Sequence, residues 1–158
     1  MNRPKAIGTA AESAVVRYLQ ANGFPGAERR ALRGAADAGD IAGTIGICWS
    51  VKGGAQAEQA SDLDIARWMG ELETQCGHAH ATVAVLVCKR RSTGPGNAGA
   101  WWAYLDAHTL TTLVDPGAGP YAEVPDPTVR VRLADAVALL RWAGYGDQLA
   151  AAVTEVTG

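Results

Sequence analysis

Phenylalanine, cysteine and long apolar runs are all scarce in this chain of 158 residues, and each scarcity excludes something. There is a single Phe, and aromatics make up 6% of the chain. Ala and Gly carry much of the 48% hydrophobic content, so the core is expected to be lean and close-packed rather than aromatic. Cys48, Cys76 and Cys88 are odd in number and lack the CxxC spacing of a zinc site, so they read as reduced core residues of a cytoplasmic protein. No apolar run approaches the roughly 18 residues that span a bilayer. The start, MNRPKAIGTAAES, lacks the apolar core of a signal peptide. A soluble cytoplasmic protein with no membrane partner is expected. A basic excess is also missing: the net charge is -2, which argues against a generally basic nucleic-acid binder. The halves differ, however. Residues 1–60 hold seven Lys/Arg against five Asp/Glu, and the remainder holds seven against eleven, so any DNA site should be sought in the first part. The length suits one domain, and there is no internal repeat.

Thr9-Ala10-Ala11-Glu12 has capping-box spacing and predicts a helix over 9–22, with Ala11, Val15, Val16 and Leu19 inward and Asn22-Gly23 as its stop. A short strand near 28–32 is expected next, then a hairpin of strands near 39–43 and 46–52. Ser61 caps a second helix whose inward residues are Ile65, Met69, Leu72 and Cys76, with Asp62 placed on that same face by its spacing. TVAVLVCKR (82–90) reads as a strand buried on both sides, and AWWAYLD (100–106) as another, with Asp106 capping a helix through Leu113. Residues 115–127, rich in Pro and Gly, read as a linker or long loop. Beyond it Leu133, Val137 and Leu140 line a helix, and a last helix follows Gly144-Tyr145-Gly146. The order predicts an α/β protein: a mixed β-sheet of about five strands flanked by helices, with a core domain over 1–114 and a helical extension over 128–158.

The chemistry gathers in GDIAGTIGICWSVKGG (39–54), which carries Asp40 and Lys52 on neighbouring strands, with Glu12 on the first helix. Hard cations such as Mg²⁺ take carboxylate oxygens with waters in the remaining positions, and a lysine beside one can position an attacking water or stabilise charge on a phosphate. Two carboxylates and a lysine are what a metal-dependent phosphodiesterase needs.

GTAAESAVVRYLQANGF, RRALRGAADAGDIAG and WSVKGG together resemble the core of the PD-(D/E)XK nuclease superfamily, within it the archaeal-type Holliday junction resolvases and their relatives in actinobacterial phages. The likeness covers about residues 5–106. It implies a restriction-endonuclease-like fold, a Mg²⁺ or Mn²⁺ cofactor, branched DNA as partner, a homodimer and hydrolysis of phosphodiester bonds. By that resemblance Glu12, Asp40 and Lys52 match three of four catalytic positions. The fourth is Ser50, where members carry an acid. Serine supplies no charge, so either the acid has moved or the site has decayed. In the first case Asp62 is the leading candidate, with Glu58 and Asp64 behind it, and the implied metal set is Glu12, Asp40, Asp62 and Val51. The resemblance also marks Arg29, Arg30 and Arg33 as DNA contacts. Lys89, Arg90 and Arg91 form a second basic cluster able to meet phosphates.

Each residue alone has a plainer reading. Glu12 can be a capping residue, Asp40 a turn residue, Lys52 a solvated strand end and Asp62 an ordinary helix-start charge. At that order and spacing, Glu12, Asp40 and Lys52 favour the functional reading jointly. The other readings are a catalytically impaired protein that binds branched DNA, and a nuclease for duplex or flap DNA. GPGNAG (94–99) matches a dinucleotide fingerprint in letters only, because a strand rather than a helix is expected after it. His78 and His80 read as a surface turn, and Trp101, Trp102 and Trp142 as core or dimer packing.

Overall fold

The computed structural model describes residues 3–31, 37–118 and 123–147. Arg33 and most of the last expected helix lie outside the described residues. The first helix, α1, runs from Arg3–Ala21, six residues earlier than the capping-box reading places its start. Pro4 is tolerated in a first turn, where its missing N–H has no intrahelical partner to lose. Thr9 and Glu12 therefore lie inside the helix, three residues apart on one face, instead of closing its end. Ala11, Ala14, Val15, Val16 and Leu19 are its buried stripe.

After α1 come two-residue strands, β1 (Glu28–Arg29) and β2 (Ile41–Ala42), paired antiparallel with each other. The six-residue β3 (Ile47–Lys52) follows. The expected 39–43/46–52 hairpin does not form a ladder: β2 pairs with β1, and β3 belongs to a separate four-stranded sheet. Thr44 is buried at the turn between them, where its Oγ1 accepts a 3.0 Å hydrogen bond from the indole of fully buried Trp49, and the two segments touch through the Asp40 N–H, which donates to Trp49 O.

A short helix absent from the sequence reading, α2 (Gly54–Glu58), leads into α3 (Asp62–His78). Ser61 caps α3 as expected, reciprocally with Asp64. The crossover returns the chain as β4 (Val83–Cys88), parallel to β3. A 3-10 segment, Pro95–Ala100, then turns into β5 (Trp102–Asp106), antiparallel to β4, so GPGNAG is a loop between strands. Asp106 caps α4 (Ala107–Val114) through a 2.7 Å bond to Thr109 N–H. Residues 128–132 form β6 (Thr128–Arg132), which pairs with β5 inside the same sheet, and α5 (Leu133–Trp142) follows directly. The chain beyond the 115–127 loop is thus joined to the core it was expected to extend. Sheet order is β3-β4-β5-β6, a mixed α/β arrangement.

Val51, Val85, Val87, Ala103 and Leu105 face one side of the sheet and close over α1 and α5 through Leu19, Leu133, Val137 and Leu140. Cys48, Leu86 and Cys88 face the other side and meet Ile65, Trp68 and Leu72 of α3. All three cysteines are free. Burial pushes the Cys48 and Cys88 thiols up to about 12, which suits inert core residues. Among the described residues no helix is long and apolar enough to cross a membrane.

Candidate active site

Asp40 is built into the free edge of β3. In a strand, the N–H and C=O of one residue point the same way, so Ser50 and Lys52 address β4 while Trp49 and Val51 address the outer edge. There the Asp40 main chain donates to Trp49 O at 2.8 Å, and Asp40 Oδ2 accepts from Val51 N–H at 2.7 Å. The carboxylate stands in for a missing neighbouring strand. The glycine before it has a steric reason: Gly39 has φ +95°, and a Cβ there would sit 2.8 Å from both Cys48 Sγ and Trp49 O. Gly-Asp at 39–40 is therefore what lets the chain approach β3 closely enough to place this acid.

Gly53 brings the second acid in. A Cβ at Gly53 would lie 2.7 Å from Ala11 Cβ, so the glycine lets α1 pack against the end of β3. Glu12, one residue further along α1, then faces Asp40 across a cleft of about 850 Å³. Lys5, Thr9, Arg29, Arg30, Asp37 and Gly39 also line it. Half-buried Asp40 has its carboxyl pushed up to about 6. Burial is the main cause and Glu12 and Asp37 add to it, while the Val51 N–H and the Lys52 charge oppose it.

The structure brings some expected site residues together and separates others. Glu12, Asp40, Arg29 and Arg30 share the cleft. Lys52 does not line it. Its charge acts on Asp40, but its ammonium lies on the α3 side of the sheet, 5.5 Å from the centre of the Trp68 ring. Ser50 is buried on that same side, opposite Leu86. Val51 packs its side chain in the core and reaches the edge through its main chain alone.

Asp62 is exposed rather than turned inward, because Ile65 and Trp68 occupy the buried stripe of α3. Its charge is felt at Tyr104 on β5, two strands from Ser50. The alternatives to it are also committed elsewhere, Asp64 to the helix cap and Glu58 to an ion pair with Lys89. Among the described residues no three His, Cys, Asp or Glu side chains converge to hold a metal.

The basic residues sort in the same way. Arg29 Nε donates to Glu12 Oε2 at 3.0 Å, and its Nη2 reaches Thr9 Oγ1 at 3.4 Å, so the pair that read as a capping box is the arginine's docking face. Lys89 is held by Glu58, Arg90 packs on the Trp102 ring, and Arg91 is exposed. Sequence reasoning missed Asp37, which lies in the cleft and accepts from Gly39 N–H at 2.9 Å and from Gln75 at 2.8 Å. The DxGD spacing of Asp37 and Asp40 was its only visible signal. It also missed Trp68 beneath Lys52. His78 Nδ1 contacts Asp37 O at 2.9 Å, a structural contact rather than a metal site. Trp101 is core, whereas Trp142 is 77% exposed.

No protein-family model, curated protein or solved structure matches the chain.

Proposed function

We propose that the protein is a metal-dependent DNA endonuclease acting on branched DNA, a Holliday junction resolvase. The observation that carries this reading is the meeting of Glu12 and Asp40 across one cleft at the edge of β3, with the Lys52 charge acting on the same carboxylate. The mixed α/β arrangement, with α1 ahead of β3 and α3 crossing over to a parallel β4, agrees with the fold class expected from the sequence and supports the reading further.

Glu12 and Asp40 offer the oxygen donors that a hard cation takes, once Glu12 exchanges Arg29 for the ion. Mg²⁺ is commonly held by one or two carboxylates, with waters and substrate phosphates completing its octahedron. Glu12, Asp40 and the edge-facing carbonyl of Val51 would hold Mg²⁺ or Mn²⁺. When bound, such an ion supplies Lewis-acid stabilisation of the phosphate and an activated water. In the protein itself, Asp40 is oriented by Val51 N–H, the Lys52 charge acts on Asp40 from the α3 side of the sheet, and Arg29 and Arg30 line the cleft where flanking phosphates would lie. Ser50, buried and uncharged, adds no ligand. A four-way junction has two-fold symmetry, so paired cuts call for a homodimer with two such clefts.

The test is incubation with a labelled four-way junction, a flap and a duplex of the same sequence, with Mg²⁺ or Mn²⁺. The junction should be cut symmetrically, and Asp40→Asn should lower the rate about 100-fold or more. If no substrate is cut, or if Asp40→Asn cuts like the parent, the reading is lost; preferential cutting of duplex or flap would reassign the substrate.

One observation favours a second reading. Arg29 neutralises Glu12 directly, which suits a protein that binds branched DNA through the same fold without cutting it. A metal-independent band shift with no product, unchanged by Asp40→Asn, is its signature. Gain of cleavage in Ser50→Glu would identify a decayed site.

A further inference from the structure

The side of the sheet facing α3 is only half covered. α3 packs over β3 and β4, with Tyr104 of β5 against the edge of that cluster, while Trp102, Arg130 and Arg132 lie beyond it, and Arg130 and Arg132 are exposed. Register places these residues in rows. Lys52 stands beside Cys88, which stands beside Trp102, which stands beside Arg132; Tyr104 stands beside Arg130.

Two arginines from different segments converge on one indole. The Arg90 guanidinium carbon, just after β4, lies 4.2 Å from the centre of the Trp102 ring, and that of Arg130, on β6, lies 4.1 Å from it. Arg90 is tied further by a 3.4 Å bond from Nη1 to Ala100 O. Arg130 also acts on Tyr104, opposing the rise that burial imposes on that phenol. Stacking engages the flat face of a guanidinium and leaves its in-plane N–H donors directed outward, the geometry that recognises phosphate oxygens in pairs. Two like charges held against one ring repel each other, and an anion relieves that repulsion. The acids nearby are Asp62, whose charge acts on Tyr104, and Asp135, which is already paired with Arg132 at 3.0 Å.

We propose that the Arg90–Trp102–Arg130 stack on the open β5–β6 face is a second contact for the DNA phosphate backbone, apart from the cleft at the β3 edge. This rests on the reading of the protein as a DNA-binding nuclease. Trp102 lies two strand spacings, roughly 10 Å, from Lys52 across the same face of the sheet. Arg90 and Arg130 make the phosphate contacts. Trp102 is a positioning residue that holds them flat.

The experiment measures binding of a fluorescein-labelled four-way junction in EDTA across a series of salt concentrations, which separates binding from cleavage. The double variant Arg90→Gln/Arg130→Gln should bind at least 10-fold more weakly, with its salt slope reduced by about two. Trp102→Leu should weaken binding but keep the parent's slope, because both charges remain; its thermal melting reports whether it folds. Arg17→Gln, an exposed cation on α1, controls for simple charge loss and should bind like the parent. If the double variant keeps the parent's affinity and slope, or if Arg17→Gln loses as much, the stack is not a DNA contact. Junction cutting by the parent together with unchanged binding by the double variant would sink this inference alone. Stack-dependent binding with no cutting would sink the nuclease reading alone.

Discussion

Alternate residues of β3, β4 and β5 point to opposite faces of one sheet, and the two faces differ in what covers them. On one side Trp49, Val85, Val87, Ala103 and Leu105 meet α1 and α5 in a continuous apolar core, all five fully buried. On the other, α3 shields Cys48, Leu86 and Cys88 but stops short of β5 and β6, where guanidiniums pack on Trp102. The same strands thus carry stability on one face and charge on the other. Asp40 belongs to neither, since it caps the sheet's free edge, where main-chain groups rather than side chains are on offer.

The contrast can be broken from its strongest end. Trp49→Ala removes a fully buried indole together with its hydrogen bond to Thr44, and should cost about 3–5 kcal/mol in urea unfolding. A loss under about 1 kcal/mol would mean that this face is not the main source of stability.

The edge comes next. Asp40 has its pKa raised from 3.8 to about 6, so the folded state holds its proton more tightly than the unfolded chain does. Below about pH 4 both states are protonated and the burden is absent. Between about pH 4 and 6 the unfolded chain ionises first and stability falls, and above about pH 6 the fall is complete. The difference is of order 3 kcal/mol at about 1.4 kcal/mol per unit. In metal-free protein at pH 8, Asp40→Asn should therefore melt higher than the parent and should lack this pH dependence. A variant that is less stable than the parent at pH 8 would contradict the burial of an ionised Asp40.

Smaller effects sharpen the contrast. Ser61→Ala removes the reciprocal cap of α3 and should cost about 1 kcal/mol in thermal or urea unfolding. Arg130→Gln, on the exposed strand, should change stability by less than about 0.5 kcal/mol in the same measurement. A destabilisation by Arg130→Gln as large as that of Ser61→Ala would make the open face part of the structural core.

Local pattern alone placed α3 and its Ser61 cap, β4, β5, the Asp106 cap and the apolar stripe of α5, because each is governed by contacts within a few residues or by a plain burial period. β6 escaped it. TVRVR is short, with alternating arginines, and becomes a strand by pairing with β5 across the sequence gap of the 115–127 loop. The start of α1 escaped for a related reason: Thr9 and Glu12 have the spacing of a cap, but upstream residues extend the helix and turn the two side chains toward Arg29.

The candidate site divides along the same line. Residue type, together with the resemblance to a nuclease family, selected Glu12, Asp40 and Lys52, since carboxylates and a lysine are the groups that phosphodiester chemistry uses and each is legible in one dimension. Tertiary packing decided what each one faces. It set Glu12 and Asp40 across a common cleft through the close approaches at Gly39 and Gly53, turned Lys52 toward Trp68, and left Asp62 in solvent beside Tyr104. Direction is a property of helix rotation and strand register, and those depend on partners far away in the chain.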